Sequence, residues 1–185
     1  LIKHHKFVLI GLGPVLQNKY MRISSLEEYG LRCALQLAKF KKKSSLVSAS
    51  QIADLEGLSV EYVSKIMHLF RKAGVVESTR GIQGGFSLSK MPHEFSVKEI
   101  LDVFMVTQKT SDDLQSFCTN HAGIRNECVH KSQCTIRPVW IHIFEVFDRV
   151  LCSISLENLL EGSAVISEKI RSVNLAPSKE EEKIK

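Results

Sequence analysis

The chain is poor in several things at once. It has four prolines and one tryptophan in 185 residues, and aromatic residues make up only 7%. No apolar run approaches the roughly 20 residues needed to cross a bilayer. Five cysteines are too few, and odd in number, for the disulfide framework of a secreted protein this size. No nucleotide-binding loop, nucleophile–base pair or paired carboxylates can be found, so an enzyme is not expected.

What is there reads as soluble and globular, at 44% hydrophobic and 24% charged. The length allows one domain with a proper core, or a small domain with an appended helix. A formal charge of +5 permits a polyanionic partner. Residues 1–20, "LIKHHKFVLIGLGPVLQNKY", imitate the basic and apolar parts of a signal peptide, but no small-residue cleavage site follows. Clear patterning starts at Met21. The preceding segment is read as an upstream-start artefact or a loose extension, and the protein as cytoplasmic, with no membrane partner.

Across 26–40, Leu26, Tyr29, Cys33, Leu37 and Phe40 recur at helical spacing, with Cys33 read as a small apolar core residue. Next, Ser48 or Ser50 can cap a short helix that Gly57 stops, and Ser59 a longer one that ends before Gly74. Two helices joined by a tight glycine turn make a helix-turn-helix. In the second, Val63, Ile66, Met67, Phe70 and Ala73 form a core face, while Glu61, Ser64, Lys65, His68, Arg71 and Lys72 lie opposite. That outer face is mostly donor-rich, as a helix entering a major groove requires, and Glu61 suits a cytosine amino group better than a phosphate. Two β-prone runs, 75–79 and 86–89, then flank a glycine-rich turn with Arg80 at its base. A helix-turn-helix followed by a hairpin is a winged helix. Residues 21–90 hold eleven Lys/Arg against six Asp/Glu, so the whole chain's excess of +5 lies here.

Ser96 and Glu99 make a capping box for "VKEILDVFM". A polar stretch of about 107–135 follows, too long for an ordinary loop, and it carries Cys118, Cys128 and Cys134. The spacing C-x9-C-x5-C lacks the tight knuckle of structural zinc sites and the paired C-x2-C of ferredoxins. The thiols can supply three corners of an iron–sulfur cluster, or Cys128 and Cys134 can act as a disulfide switch. Pro138 then opens a helix with Trp140, Ile143, Phe144, Phe147, Val150, Leu151 and Ile154 on one stripe. A small winged helix cannot cover that stripe, so it reads as a subunit interface, the alternative being that it folds back onto 26–40. Residues 155–160, "SLENLL", suggest a closing helix, and 163–185 a disordered charged tail.

These parts resemble a known family. "MRISSLEEYGLRCALQLA", "GLSVEYVSKIMHLFRKAGVVESTRGIQGGFSLS", C-x5-C-x-x-RPVW and "SISLENLL" are similar to IscR/NsrR-type winged-helix transcription regulators, the Rrf family. The resemblance runs from about Met21 to Glu161. It implies a mainly α fold with a small β-hairpin wing, and a homodimer paired through the long helix on partly palindromic double-stranded DNA. It also implies, for many members, a [2Fe–2S] or [4Fe–4S] cluster on three loop cysteines whose state changes DNA affinity. Carried over, the ligands are Cys118, Cys128 and Cys134, with Glu28 as the fourth, because Arg137 stands where some members have histidine. His121 and His130 are further candidates. Members without clusters respond to metabolites or enzyme partners, and the nine-residue first gap is longer than in the cluster-binding members.

The resulting organisation is an N-terminal extension (1–20), a winged-helix domain (21–106), a cluster loop (107–135), dimerisation and closing helices (136–162) and the tail (163–185). Ser59, Tyr62, Ser64, Lys65, His68 and Arg71 face the major groove, and Arg80 and Arg22 contact phosphate or minor groove. The expected function is a regulator controlled by a cluster that senses nitric oxide, redox or iron–sulfur status. The alternatives are a cluster-free thiol- or metabolite-responsive regulator, and an iron–sulfur electron carrier or cluster-transfer protein.

Overall fold

A computed structural model describes residues 23–81, 84–105, 124, 128–130 and 134–174. Helix α1 spans Ser25–Lys42 and starts at a full capping box, in which Ser24 accepts from the Glu27 backbone while the Glu27 carboxylate accepts from Ser24 N–H. Its inward face, Cys33, Ala34, Leu37 and Ala38, is wholly buried. Helix α2 (Ala49–Glu56) is capped by Ser48 and ends at Gly57, whose φ of +66° is the left-handed conformation that glycine adopts without cost. Helix α3 (Val60–Lys72), capped by Ser59, buries Val63, Ile66, Met67 and Phe70. Ala73, expected on that face, is exposed, because the helix has already ended there.

Strands β1 (Val76–Thr79) and β2 (Gly85–Leu88) pair antiparallel, Val76 opposite Leu88 and Thr79 opposite Gly85. Val47, just before α2, adds a bridge on the far side of β2, bonding Phe86 in both directions at 3.1 and 2.8 Å. That approach requires glycine at position 85, where a Cβ would sit 2.8 Å from the Val47 carbonyl oxygen. The hairpin is thereby tied to the start of the helix-turn-helix. Helix α4 (Val97–Met105) follows, with the Ser96–Glu99 box in place. Its Phe104 packs tilted on Phe70, centroids 5.3 Å apart, and also fills the space beside Gly30 of α1.

The long helix α5 (Arg137–Ser153) has no fully buried residue and carries exposed Val139, Trp140, Ile143 and Phe144. It packs against α4, where Asp148 lies 3.7 Å from Lys98, and against the C-terminal helix. Packing onto α1, the alternative reading, is not its main contact. At its end the chain doubles back. Val97 N–H bonds Ile154 O at 2.8 Å and Leu156 N–H bonds Phe95 O at 2.9 Å, after which α6 (Leu156–Glu161) rests on α1. Lys42 and Glu157 close this seam at 2.7 Å, with His93 Nδ1 3.8 Å from the same carboxylate.

Residues 163–172 are helical (α7, Ser163–Ser172), not a disordered tail. The charge of the last residues drew the reading, but Val165 and Ile166 are half-buried as α7 packs on α5 and α6. The remainder of that tail from 175, and the 1–20 extension, lie outside the described residues.

A methyl group at position 30 collides with the Phe104 ring. Gly30→Ala is expected to cost about 1–3 kcal/mol in urea unfolding, with part recovered by adding Phe104→Leu. The hydrogen bond from Lys42 holds the Glu157 carboxyl below its usual range. A depressed carboxyl contributes stability that is present at neutral pH and lost as pH falls through the folded value. The stability gap between wild type and Glu157→Gln should therefore shrink as the pH of the unfolding titration drops through the carboxylate range.

Candidate functional site

Two surfaces carry the polar chemistry. The first is the outer side of α3 with the base of the hairpin. Because Val63, Ile66, Met67 and Phe70 anchor one side, Ser64, Lys65, His68, Arg71 and Lys72 are turned outward and exposed. Ser59 is exposed too, but its hydroxyl oxygen already accepts from the Tyr62 backbone at 3.1 Å. Tyr62 is only half-exposed, its ring standing edge-on to Tyr29 with centroids 5.8 Å apart. Its first task is therefore to seat the start of α3 on α1. Arg80 is exposed directly after β1, where Gly81 (φ +118°) turns the chain. Arg22 lies outside the described residues.

A polar clamp that the sequence reading missed fixes this surface to α1. Glu56, the last residue of α2, receives Arg32 Nε at 2.7 Å and the Gln36 amide, and its carbonyl takes Arg32 Nη2 at 3.0 Å. Arg32 also covers the Tyr29 ring at 5.4 Å. The bond to Glu56 raises the guanidinium pKa further, and Glu28, one turn before Arg32, adds to it. The available signal was a polar pair at i and i+4, Arg32 and Gln36, on the side of α1 that otherwise goes inward.

The second surface is the cysteine segment. Cys128 and Cys134 are free and half-buried, and Cys118 lies outside the described residues. Cys134 stands just before α5, where its sulfur accepts the Arg137 N–H at 3.3 Å. That end of a helix gathers unpaired N–H groups and positive partial charge. Among the described residues, no three or more His, Cys, Asp and Glu side chains converge as a metal site, so Glu28 is not joined with Cys128 and Cys134 in one chain. Glu28 is exposed in the first turn of α1. His130 is exposed, and His121 lies outside the described residues. Cys33 is set apart from this chemistry, since burial, reinforced by Glu56, pushes its thiol up to about 12.

Among the described residues, no helix is long and apolar enough to cross a membrane. Residues 23–162 match the Rrf2 family, described as an iron-dependent transcriptional regulator. The HTH-type transcriptional regulator NsrR of Halalkalibacterium halodurans is 30% identical over 141 residues, which is 76% of this chain and 90% of that one. Among solved structures, CymR, the global cysteine regulator of B. subtilis, aligns at 28% identity with a TM-score of 0.59, covering 76% of this chain and 97% of that one. The IscR of T. potens aligns at 27% identity and a TM-score of 0.56, over 77% and 88%.

The clamp makes a direct prediction. Glu56→Gln leaves Arg32 without its anionic partner and is expected to lower the midpoint of urea unfolding. Amide exchange should quicken most in α2 and the first turn of α3, where the tie is lost.

Proposed function

The chain belongs to the Rrf2 family of DNA-binding transcriptional regulators, which are not enzymes, and from this premise we propose a cytoplasmic homodimer whose operator affinity is controlled by an iron–sulfur cluster. The observation that carries this reading is the position of two free thiols, Cys128 and Cys134, at the threshold of a helix that displays an uncovered apolar stripe. Soft thiolates select iron–sulfur clusters over hard cations. The sulfur of Cys134 is held at the start of α5 by a backbone N–H, as a ligand of fixed direction needs. Cys118 supplies a third thiolate in this reading. Glu28 is the fourth ligand in this reading, supplied by the partner subunit; among the described residues it forms no group with Cys128 and Cys134 within one chain. When bound, the cluster contributes ligation that nitric oxide, oxygen or iron scarcity disturbs.

Helix α5 supports the dimer. Val139, Trp140, Ile143 and Phe144 are 54, 39, 49 and 51% exposed, more apolar surface on one helix than an isolated domain usually leaves wet. A two-fold pairing along α5 sets two copies of α3 on one partly palindromic duplex. In it Ser59, Ser64, Lys65, His68 and Arg71 face the major groove, with Arg80 and Arg22 on phosphate or minor groove. Tyr62 keeps only its exposed edge for DNA. One observation favours a second reading. The similarity to a global cysteine regulator, together with the long first gap, suits a cluster-free regulator in which Cys128 and Cys134 act as a thiol switch.

Anaerobic purification with visible absorption and iron and sulfide assays separates the two. The expected protein is coloured, loses its cofactor in Cys128→Ala and Cys134→Ala, and binds its operator more weakly but measurably without it. Binding should fall steeply with salt in either state. Colourless, iron-free protein whose operator affinity follows thiol oxidation would replace the cluster with the switch.

A further inference from the structure

The outer face of α3 contains one group of the wrong sign for a polyanion. Glu61 is exposed in the first turn of the helix, at three, four and seven residues from Ser64, Lys65 and His68, and so shares their side. It has no ion-pair partner among the described residues. Lys65 does not pair with it, although a glutamate four residues before a lysine is the favourable order on a helix. Elsewhere the chain pairs such groups, as in Arg32–Glu56 and Lys98–Asp102. The helix dipole welcomes an acid here, which accounts for helix stability. It does not account for a carboxylate at the end of the helix that enters the groove, where like charge opposes every phosphate.

We propose that Glu61 is a specificity-determining contact that selects cytosine in each half-site of the operator. This rests on the DNA-binding reading of α3 given above. In the major groove a carboxylate finds hydrogen-bond donors only on the amino groups of cytosine and adenine. Adenine places its N7 acceptor beside the amino group, which repels a second acceptor, whereas cytosine presents the amino group alone. Every other base pair leaves the carboxylate desolvated and unpaired, so Glu61 acts mainly by rejecting wrong sequences. Val60, beside it on the first position of the helix, is 43% exposed. An apolar side chain there suits a base edge and offers nothing to a phosphate, so the first turn of α3 is equipped to read bases.

The test is parallel in vitro selection from a random duplex library with the full-length wild type, Glu61→Ala and Glu61→Gln. Titrations on the wild-type motif with that cytosine replaced by thymine then measure the contact. The wild-type motif should contain one cytosine per half-site that both variants no longer select, while the rest of the motif persists. Replacing it should weaken wild-type binding roughly tenfold or more and leave the variants unaffected. Operators carrying N4-methylcytosine, which lacks the groove-facing amino hydrogen, should weaken wild-type binding similarly. This arm needs no variant to fold. Variants that retain the same cytosine preference would overturn the proposal while leaving the regulator reading intact. A wild-type protein that enriches no motif would overturn that reading, and this inference with it.

Discussion

Everything in this structure hangs on how closely α1 and α4 approach. Gly30 has no side chain, and the ring of Phe104 occupies the volume a side chain would need. That lets Phe104 reach through to Phe70 of α3, so three helices meet at one aromatic contact. Around it α1 becomes the hub against which α2, α3, β2, α4 and α6 all pack. The arrangement is economical for a chain with 7% aromatic residues. Phe70, Phe104 and Leu37 are the largest of the wholly buried side chains around which the core packs.

Charge is distributed by the same logic. Where two elements must hold a fixed relation, opposite charges meet: Arg32 with Glu56 across α1 and α2, Lys42 with Glu157 across α1 and α6, Lys98 with Asp148 across α4 and α5. Lys65, Arg71 and Lys72 on the outer face of α3 have no such partner among the described residues. Exposed pairs stabilise little, so leaving these groups open costs the fold almost nothing. Binding a polyanion then needs no ion pair broken first.

The winged helix was legible because each boundary is written locally. Ser24, Ser48, Ser59 and Ser96 all precede helices, three with acceptors three residues on, and Gly57 stops α2 as its left-handed φ requires. The alternation of Val63, Ile66, Met67 and Phe70 with polar residues gave away which side of α3 faces out. The bond between Val47 and Phe86 and the strap between residues 95–97 and 154–156 were not legible, since long-range backbone pairing leaves no periodic mark. The clamp on Glu56 escaped for a similar reason: a buried Gln36 reads as surface until its partner is known. Helix α7 was lost to composition, because the charged end of the chain outweighed the short apolar rhythm of Val165, Ile166 and Ile170. Of the proposed ligand set, the residue types suggest thiolate chemistry, but the C-x9-C-x5-C spacing matches no ligand pattern that would name the group it holds.

The control proposed above, by a cluster or a thiol switch, needs a path along which a change near Cys134 alters how α3 is presented. The described contacts supply a continuous one. The Cys134 sulfur bonds the first turn of α5, and α5 lies along α4 through Asp148 and Lys98. Its far end is strapped to residues 95–97 by backbone bonds, immediately before α4 begins. Helix α4 is locked to α1 and α3 through Phe104, and α1 grips the helix-turn-helix through Glu56 and Tyr62. Continuity is not coupling, because a signal shifts DNA affinity only by the difference in its interaction with two arrangements of these elements. The softest joint in the path is the uncovered stripe of α5. It is secured within the chain along one side only; in the dimer proposed above a partner subunit completes its packing, and the angle at which the two chains meet there sets the spacing of their two α3 helices. In that proposed dimer a small rotation at the joint displaces each recognition helix by the rotation angle times its lever arm, with no need to break the buried contacts inside each chain.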